Sequence, residues 1–321
     1  MTSIRRNLIT GITGFAGRHL ANALLARQEK VYGVTRRPLP AGETPLEGVS
    51  LLVADLEKPD AWPELLTQVR PTHIYHLAGY AHAGRSLRES QAAWQGNLTL
   101  TLYLLDAMQR WTPEARLVWV GSGLVYGQPL QPHRPVDEQT ALRPETPYAA
   151  SKAAADLAAF AAWKAHGLAV VRARPFNHTG PGQSPEFAIP NFARQLVAIE
   201  RGLCPPVLQV GDLQTYRDMS DVRDVVQAYV ALMDRGQPGE AYNIASGVSR
   251  SMQSLLDEMI ALTGLRVEVR SRADLLRPSE HSILQVDLRK IHSEIGWKPR
   301  FTLTQTLSDT LQAWRDLGDN P

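Results

Sequence analysis

Short apolar runs punctuate the first half of the chain, and each is separated from the next by enough sequence for a helix or a crossing loop. They are Asn7-Leu-Ile-Thr10, Lys30-Val-Tyr-Gly-Val34, Ser50-Leu-Leu-Val53, His73-Ile-Tyr-His-Leu77, Leu117-Val-Trp-Val120 and Ala169-Val-Val-Arg-Ala173. Helical patterns lie between them, among them His19 to Arg27 and the alanine-rich run from Ser151 to His166, whose small side chains suit packing against a sheet. Strand then helix, repeated, predicts a parallel, doubly wound α/β sheet. The rhythm breaks after Pro175. Residues 176–215 are rich in Gly and Pro, Asp221 to Met233 resumes a helical pattern, and Ala241 to Ala245 is one more strand-like run. The pattern predicts a large domain from residues 1–175 and 216–246, and a smaller mixed C-terminal lobe from residues 176–215 and 247–321.

Between the first strand and the first helix lies Thr10-Gly-Ile-Thr-Gly-Phe-Ala-Gly17. Glycines at 11, 14 and 17 let the chain turn sharply and approach a pyrophosphate without a Cβ in the way, while the helix N-terminus offers N–H groups and partial positive charge. In this strand-to-helix setting the motif predicts a Rossmann-type NAD(P) domain, with Gly11, Thr13, Gly14, Phe15, Ala16 and Gly17 along the cofactor. The end of the second strand should state which dinucleotide binds. A carboxylate there would hold the ribose 2′-hydroxyl of NAD; the chain has Arg36 and Arg37 instead, which suit the 2′-phosphate of NADP. NADP(H) is therefore the expected cofactor, with NAD(H) the alternative and a pair of solvated arginines the bland one. Asp55 and Leu56 after the third strand are expected near the adenine, and Leu77, Ala78 and Gly79 after the fourth beside the cofactor.

Tyr148 and Lys152 open the alanine-rich helix, and a spacing of four puts them on one face. A free phenol, with a pKa of about 10, is a poor acid near neutrality unless a cation stabilises its anion. Lys152, together with the oxidised nicotinamide, is expected to do that, and also to bind the nicotinamide ribose. Ser122, at the end of the fifth strand, would hold the same carbonyl oxygen, so that hydride moves on carbon while two donors hold the oxygen.

Composition adds mainly exclusions. With 44% hydrophobic and 21% charged residues, the 321-residue chain is that of an ordinary globular protein. Lys and Arg number 34 against 32 Asp and Glu, with no basic run, which argues against a nucleic-acid or membrane partner. Cys204 is the only cysteine, so an intramolecular disulfide and a paired-cysteine metal site are excluded and a reducing cytoplasm is expected. No signal peptide is evident at the N-terminus, and no metal is expected.

The glycine pattern, Ser122, Tyr148 and Lys152, in this order, resemble the extended short-chain dehydrogenase/reductases over essentially the whole chain. The resemblance implies a C-terminal nucleotide-sugar lobe, a homodimer built through helices near residues 90–110 and 148–166, and active-site support on the substrate side from an Asn that Asn97 matches. In the sugar 4,6-dehydratases of that family an Asp-Glu pair follows the serine position and carries out the elimination. Here Gly123 and Leu124 follow, and neither side chain holds a proton, so a reductase or a 4-epimerase is expected instead. The loop Arg174 to Gln183, with Asn177 and His178, resembles the substrate loop of GDP-mannose 4,6-dehydratases. Its Gly182-Gln183 ending is closer to that of the GDP-6-deoxy-4-keto-mannose reductases. By the same resemblance Arg217 and Arg277 would hold the substrate pyrophosphate and Glu280 the guanine. The expected substrate is a GDP-linked 4-keto-6-deoxyhexose, reduced at C4 to GDP-6-deoxy-D-mannose for glycan assembly. A talose-forming reductase differs only in the ketone face that meets the hydride, and a dinucleotide-sensing regulator is the non-enzymatic alternative.

Overall fold

A computed structural model of the chain describes residues 5–39, 46–128, 134–272 and 284–318. Strands β1 (Arg6–Thr10), β2 (Lys30–Thr35), β3 (Val49–Val53), β4 (His73–His76), β5 (Arg116–Val120) and β6 (Val170–Pro175) match the predicted apolar runs to within a residue or two. They form one sheet, completed much later in the chain by β10 (Ala241–Ile244), in the order β10-β6-β5-β4-β1-β2-β3. All of its pairings are parallel. Helices α1 (Phe15–Ala26) and α7 (Val222–Arg235) pack together on one face. On the other lie α2 (Ala61–Val69), α4 (Leu100–Trp111), preceded by the short α3 (Ser90–Trp94), and α5 (Pro147–His166). Each face buries its own apolar cluster, which is why the central strands read as nearly continuous hydrophobic runs.

The remaining elements form a second lobe. Strands β7 (Asn177–Thr179), β9 (Tyr216–Asp221) and β11 (Ser249–Ser251) make a three-stranded sheet, and β8 (Val207–Val210) pairs with β12 (Glu268–Ser271). Helices α6 (Ala188–Glu200), α8 (Met252–Thr263) and α9 (Leu303–Asp316) close a third apolar cluster over them. The expected division differs from this arrangement at two places. Residues 284–297, expected in the small lobe, pack Leu288, Ile291, Ile295 and Trp297 into the core of the large sheet and α7, and one strand leaves that sheet. Strand β9 hydrogen-bonds to β7 and β11 and sits with the small sheet, while α7 and β10 return to the large one.

Helix α5 carries the tyrosine and lysine singled out above, and its start and stop are written locally. Thr146 caps it by accepting the Ala149 amide at 3.2 Å, Pro147 fills the first turn, and Gly167 ends it at φ +71°. Half of its residues are alanine, so it approaches the sheet closely but offers few side chains to interdigitate. A buried ion cluster supplies what alanine does not. Asp156, with no solvent exposure, receives Arg174 Nε at 2.9 Å and Nη2 at 2.8 Å, and also pairs with Arg172; both arginines stand on β6. Arg174 reaches on to Tyr126 Oη at 2.8 Å, which donates to Asn243 on β10 at 2.7 Å. Removing the carboxylate would leave two buried guanidiniums uncompensated. Asp156→Ala is expected to cost about 3–5 kcal/mol in urea unfolding, and a loss below about 1 kcal/mol would show that the cluster does not anchor the helix.

Candidate active site

The C-terminal ends of β1 and β4 lie side by side where the strand order reverses, the crevice in which doubly wound sheets bind ligands. Gly11 turns the chain there at φ +73°, and a Cβ on it would stand 2.8 Å from the Ala78 amide nitrogen. A Cβ on Gly17 would overlap the Gly11 carbonyl oxygen. Gly14 precedes α1 without a capping side chain, so the amides of the first turn remain available to a phosphate. Thr13 and Gly14 are exposed, and Phe15 and Ala16 are half-buried. The cradle fits a dinucleotide pyrophosphate: backbone comes close, no side chain intrudes, and a helix dipole points into it.

This cradle is tied to β4 by a contact that the sequence reading did not anticipate. Thr10 Oγ1 accepts the Ala78 amide at 3.2 Å and lies 2.9 Å from Nδ1 of His76, whose ring is buried against Trp62. Burial pushes the His76 imidazole down to about 3, with the Lys152 ammonium acting in the same direction.

The chemistry-bearing residues converge beside Gly79. A Cβ there would lie 2.7 Å from Asn97 Oδ1 and 3.7 Å from Lys152 Nζ. Ser122, buried at the end of β5, accepts the Leu124 amide at 3.2 Å and keeps its own hydroxyl proton to donate. Burial raises the Tyr148 phenol, and the Ser122 hydroxyl opposes that rise. Lys152 is not among the groups that shift the phenol here. Lys152 Nζ instead donates to Val120 O at 3.0 Å and lies 5.6 Å from the centre of the Trp119 ring. Burial pushes the ammonium down to about 8.

Asn97 sits in a single π-turn, Gln95–Thr99, at the head of α4. Its amide is spent internally: Oδ1 accepts the Tyr80 amide at 3.0 Å and Nδ2 donates to Ser151 Oγ at 3.0 Å. With 2% exposure it stands behind the site, supporting the tyrosine helix and the loop after β4, rather than facing a sugar. Ser151 donates in turn to the Tyr148 carbonyl at 2.8 Å, and the buried Ser86 accepts the Tyr148 amide at 3.2 Å. Neither serine stands out in the sequence, because each acts through a partner distant in the chain or through the backbone.

Asn177 and His178 lie on β7, and the His178 ring stacks on Phe15 of the glycine loop with centroids 6.0 Å apart and planes at 8°. Burial lowers the His178 imidazole, whose Nδ1 is 3.0 Å from Phe176 O. Arg217 is on β9, donates to the Tyr216 carbonyl at 2.7 Å, and stands directly across from Arg250 of β11. Arg277 and Glu280 lie outside the described residues. Arg36 and Arg37 are exposed at the end of β2; Asp55 and the buried Leu56 follow β3, and Leu77 and Ala78 follow β4. Gly123 is pressed against Phe176, whose ring atoms would lie 2.7 Å from a Cβ at that position. Among the described residues, no cluster of His, Cys, Asp or Glu is arranged to hold a metal.

A glycine cradle at the reversal of a parallel sheet, facing a buried serine and lysine and a half-buried tyrosine, defines a dinucleotide-dependent enzyme of the extended short-chain dehydrogenase/reductase class. Comparison with known proteins narrows this: residues 8–310 match the family model described as GDP-mannose 4,6 dehydratase, and the chain belongs to that family. The GDP-6-deoxy-D-mannose reductase of Pseudomonas aeruginosa is 34% identical over 310 residues, which cover 97% of each chain. A solved structure of RMD from Pseudomonas aeruginosa complexed with NADPH superposes with a TM-score of 0.84 at 31% identity, covering 98% of this chain and 100% of that one. The UDP-glucose 4-epimerase of Thermus thermophilus, in complex with NAD, gives a TM-score of 0.85 at 27% identity, covering 97% and 99%. No helix among the described residues is long and apolar enough to cross a membrane.

The depressed His76 pKa has a consequence for stability. The folded chain takes up this proton only near pH 3, whereas an unfolded imidazole takes it up near about 6.5. Stability linked to His76 is therefore complete above about pH 6.5 and is lost as pH falls towards 3. His76→Gln is expected to flatten unfolding free energy against pH between about 6.5 and 4 by up to about 1.4 kcal/mol per unit, measured by urea titration at several pH values; an unchanged slope would contradict a neutral, buried His76.

Proposed function

We propose that this chain is an NADPH-dependent 4-ketoreductase that converts GDP-4-keto-6-deoxy-D-mannose to GDP-6-deoxy-D-mannose, in the cytoplasm, as a homodimer. The observation that carries the reading is the pair after Ser122. Gly123 and Leu124 hold no proton, and the ring of Phe176 leaves no room for a side chain at 123, so the acid and base for eliminating the 6-hydroxyl are missing. Reduction at C4 needs neither. The relatives named above support the nucleotide-sugar substrate, and the NADPH complex supports the cofactor. Exposed Leu102 on α4 and Leu157 and Phe160 on α5 support a partner subunit across these helices.

In this reading the crevice between β1 and β4 holds the dinucleotide, with Gly11, Gly14 and Gly17 under its pyrophosphate, Asp55 and Leu56 near the adenine, and Leu77, Ala78 and Gly79 along its path. When bound, NADPH supplies the hydride that reaches sugar C4. Ser122 donates its free proton to the C4 carbonyl oxygen and orients the ketone. Tyr148 delivers the proton from its phenol to the same oxygen as charge develops there. Lys152, as ammonium, binds the nicotinamide ribose and, together with the oxidised nicotinamide, stabilises the phenolate left behind. Asn97, through Ser151, holds the turn that presents Tyr148. Asn177, His178, Arg217, Arg277 and Glu280 are assigned to the nucleotide sugar, with the arginines on its pyrophosphate.

The test is to incubate the protein with GDP-mannose, a 4,6-dehydratase and NADPH, following nucleotide absorbance together with product. Stoichiometric NADPH consumption with GDP-6-deoxy-D-mannose as product is expected; inversion of a hydroxyl centre without net consumption would instead indicate an epimerase. Tyr148→Phe is expected to lose about 10²–10⁴-fold in turnover while still binding the dinucleotide, and near-normal turnover would remove the assigned acid. Because burial holds Lys152 at about 8, turnover of the unaltered enzyme is expected to fall as pH rises through 8, where the ammonium is lost. A profile flat to pH 10 would exclude that role for it.

A further inference from the structure

At the C-terminal end of β2, two guanidiniums and two carboxylates share one small surface. Arg36, with a side chain 60% exposed, pairs through Nη2 with Glu57 Oε1, and its Nε lies 3.7 Å from Asp55 Oδ1. Asp55 Oδ1 also accepts the Glu57 amide at 3.3 Å, which seats both carboxylates on one turn after β3. Arg37 is exposed beside them, with its carbonyl accepting Thr35 Oγ1 at 2.7 Å.

Such a surface has two ways of meeting a ribose 2′ position, given the dinucleotide reading above, on which this inference rests. A 2′-phosphate must draw Arg36 away from Glu57 and then sit close to two carboxylates of its own sign. A 2′-hydroxyl leaves the Arg36–Glu57 pair intact and asks for no charge exchange. Arg36 is therefore a guanidinium with two alternative anionic partners, and the partner supplied by the chain competes directly with the one supplied by the ligand. We infer that Glu57 is a specificity-determining residue: by holding Arg36, it weakens the preference for NADPH and keeps NADH usable at the same site. Nothing in local sequence pattern marks Glu57, since the pairing joins the ends of two parallel strands.

Equilibrium binding tests this without turnover. Energy transfer from protein tryptophan to NADPH and to NADH would be titrated for the unaltered chain, Glu57→Gln, Arg36→Gln and the double variant, with 2′,5′-ADP and 5′-AMP as competitors that isolate the 2′-phosphate. Far-UV circular dichroism and thermal midpoints check the fold of each variant. Glu57→Gln is expected to tighten NADPH by up to about fivefold, the upper end of what an exposed ion pair is worth, and to leave NADH within about twofold. The gain should vanish when Arg36 is already Gln, and 2′,5′-ADP should follow NADPH. An unchanged NADPH-to-NADH ratio in Glu57→Gln overturns the inference, as does a gain that persists in the Arg36→Gln background, because Glu57 would then act as a bare charge. If the unaltered protein binds neither dinucleotide, the dinucleotide reading itself falls, and the inference with it.

Discussion

Asp156 is the contact on which the reactive geometry depends. An alanine-rich helix can lie very close to a sheet, but methyl groups slide past one another more readily than interlocked side chains do. One carboxylate without solvent exposure, held by Arg172 and Arg174 of β6, fixes both the height and the rotation of α5. Tyr148 and Lys152 stand two turns and one turn before it on the same helix. The ion cluster continues through Tyr126 to Asn243, so the tyrosine helix is referred to β6, to the turn after β5 and to β10 at once. Its cost is the desolvation of several charges, and mutual pairing is what offsets that cost.

The second constraint is the closeness of backbone to backbone at the sheet's reversal point. Gly11 against Ala78 and Gly17 against Gly11 leave no volume for side chains, while the Thr10 hydroxyl stitches the glycine loop to β4 and to the uncharged His76. The loop after β4 is bound in turn to Asn97 and, through Ser86, to the amide of Tyr148. Cofactor cradle, supporting asparagine and tyrosine helix are thus links of one hydrogen-bonded chain. A π-turn at Asn97 adds the extra residue that carries its amide to the right place.

Selectivity in this scaffold is set by what surrounds these links. Phe176, stacked 6.2 Å from Tyr126, covers Gly123 beside Ser122 and leaves no room there for a side chain. Phe15 serves both lobes, lying on the glycine loop and stacking on His178 of the small sheet. Arg36 answers to Glu57 and Asp55, which turns a residue that looks like a simple phosphate ligand into one in a charge balance.

The sequence by itself determined the seven parallel strands to within a residue or two, the glycine turn, and the helical spacing that sets Tyr148 and Lys152 on one face of α5. These are legible because apolar periodicity, glycine spacing and helical spacing are local properties of the chain. Only the tertiary structure decided that β9 joins the small sheet, that Asn97 is occupied by Tyr80 and Ser151, and that Lys152 rests on the Val120 carbonyl instead of the phenol. Ser86, His76, Phe176 and Glu57 were likewise invisible beforehand. Each acts across a fold-dependent contact, and a single chain carries no record of such a contact until burial has removed the water that would otherwise satisfy the same groups.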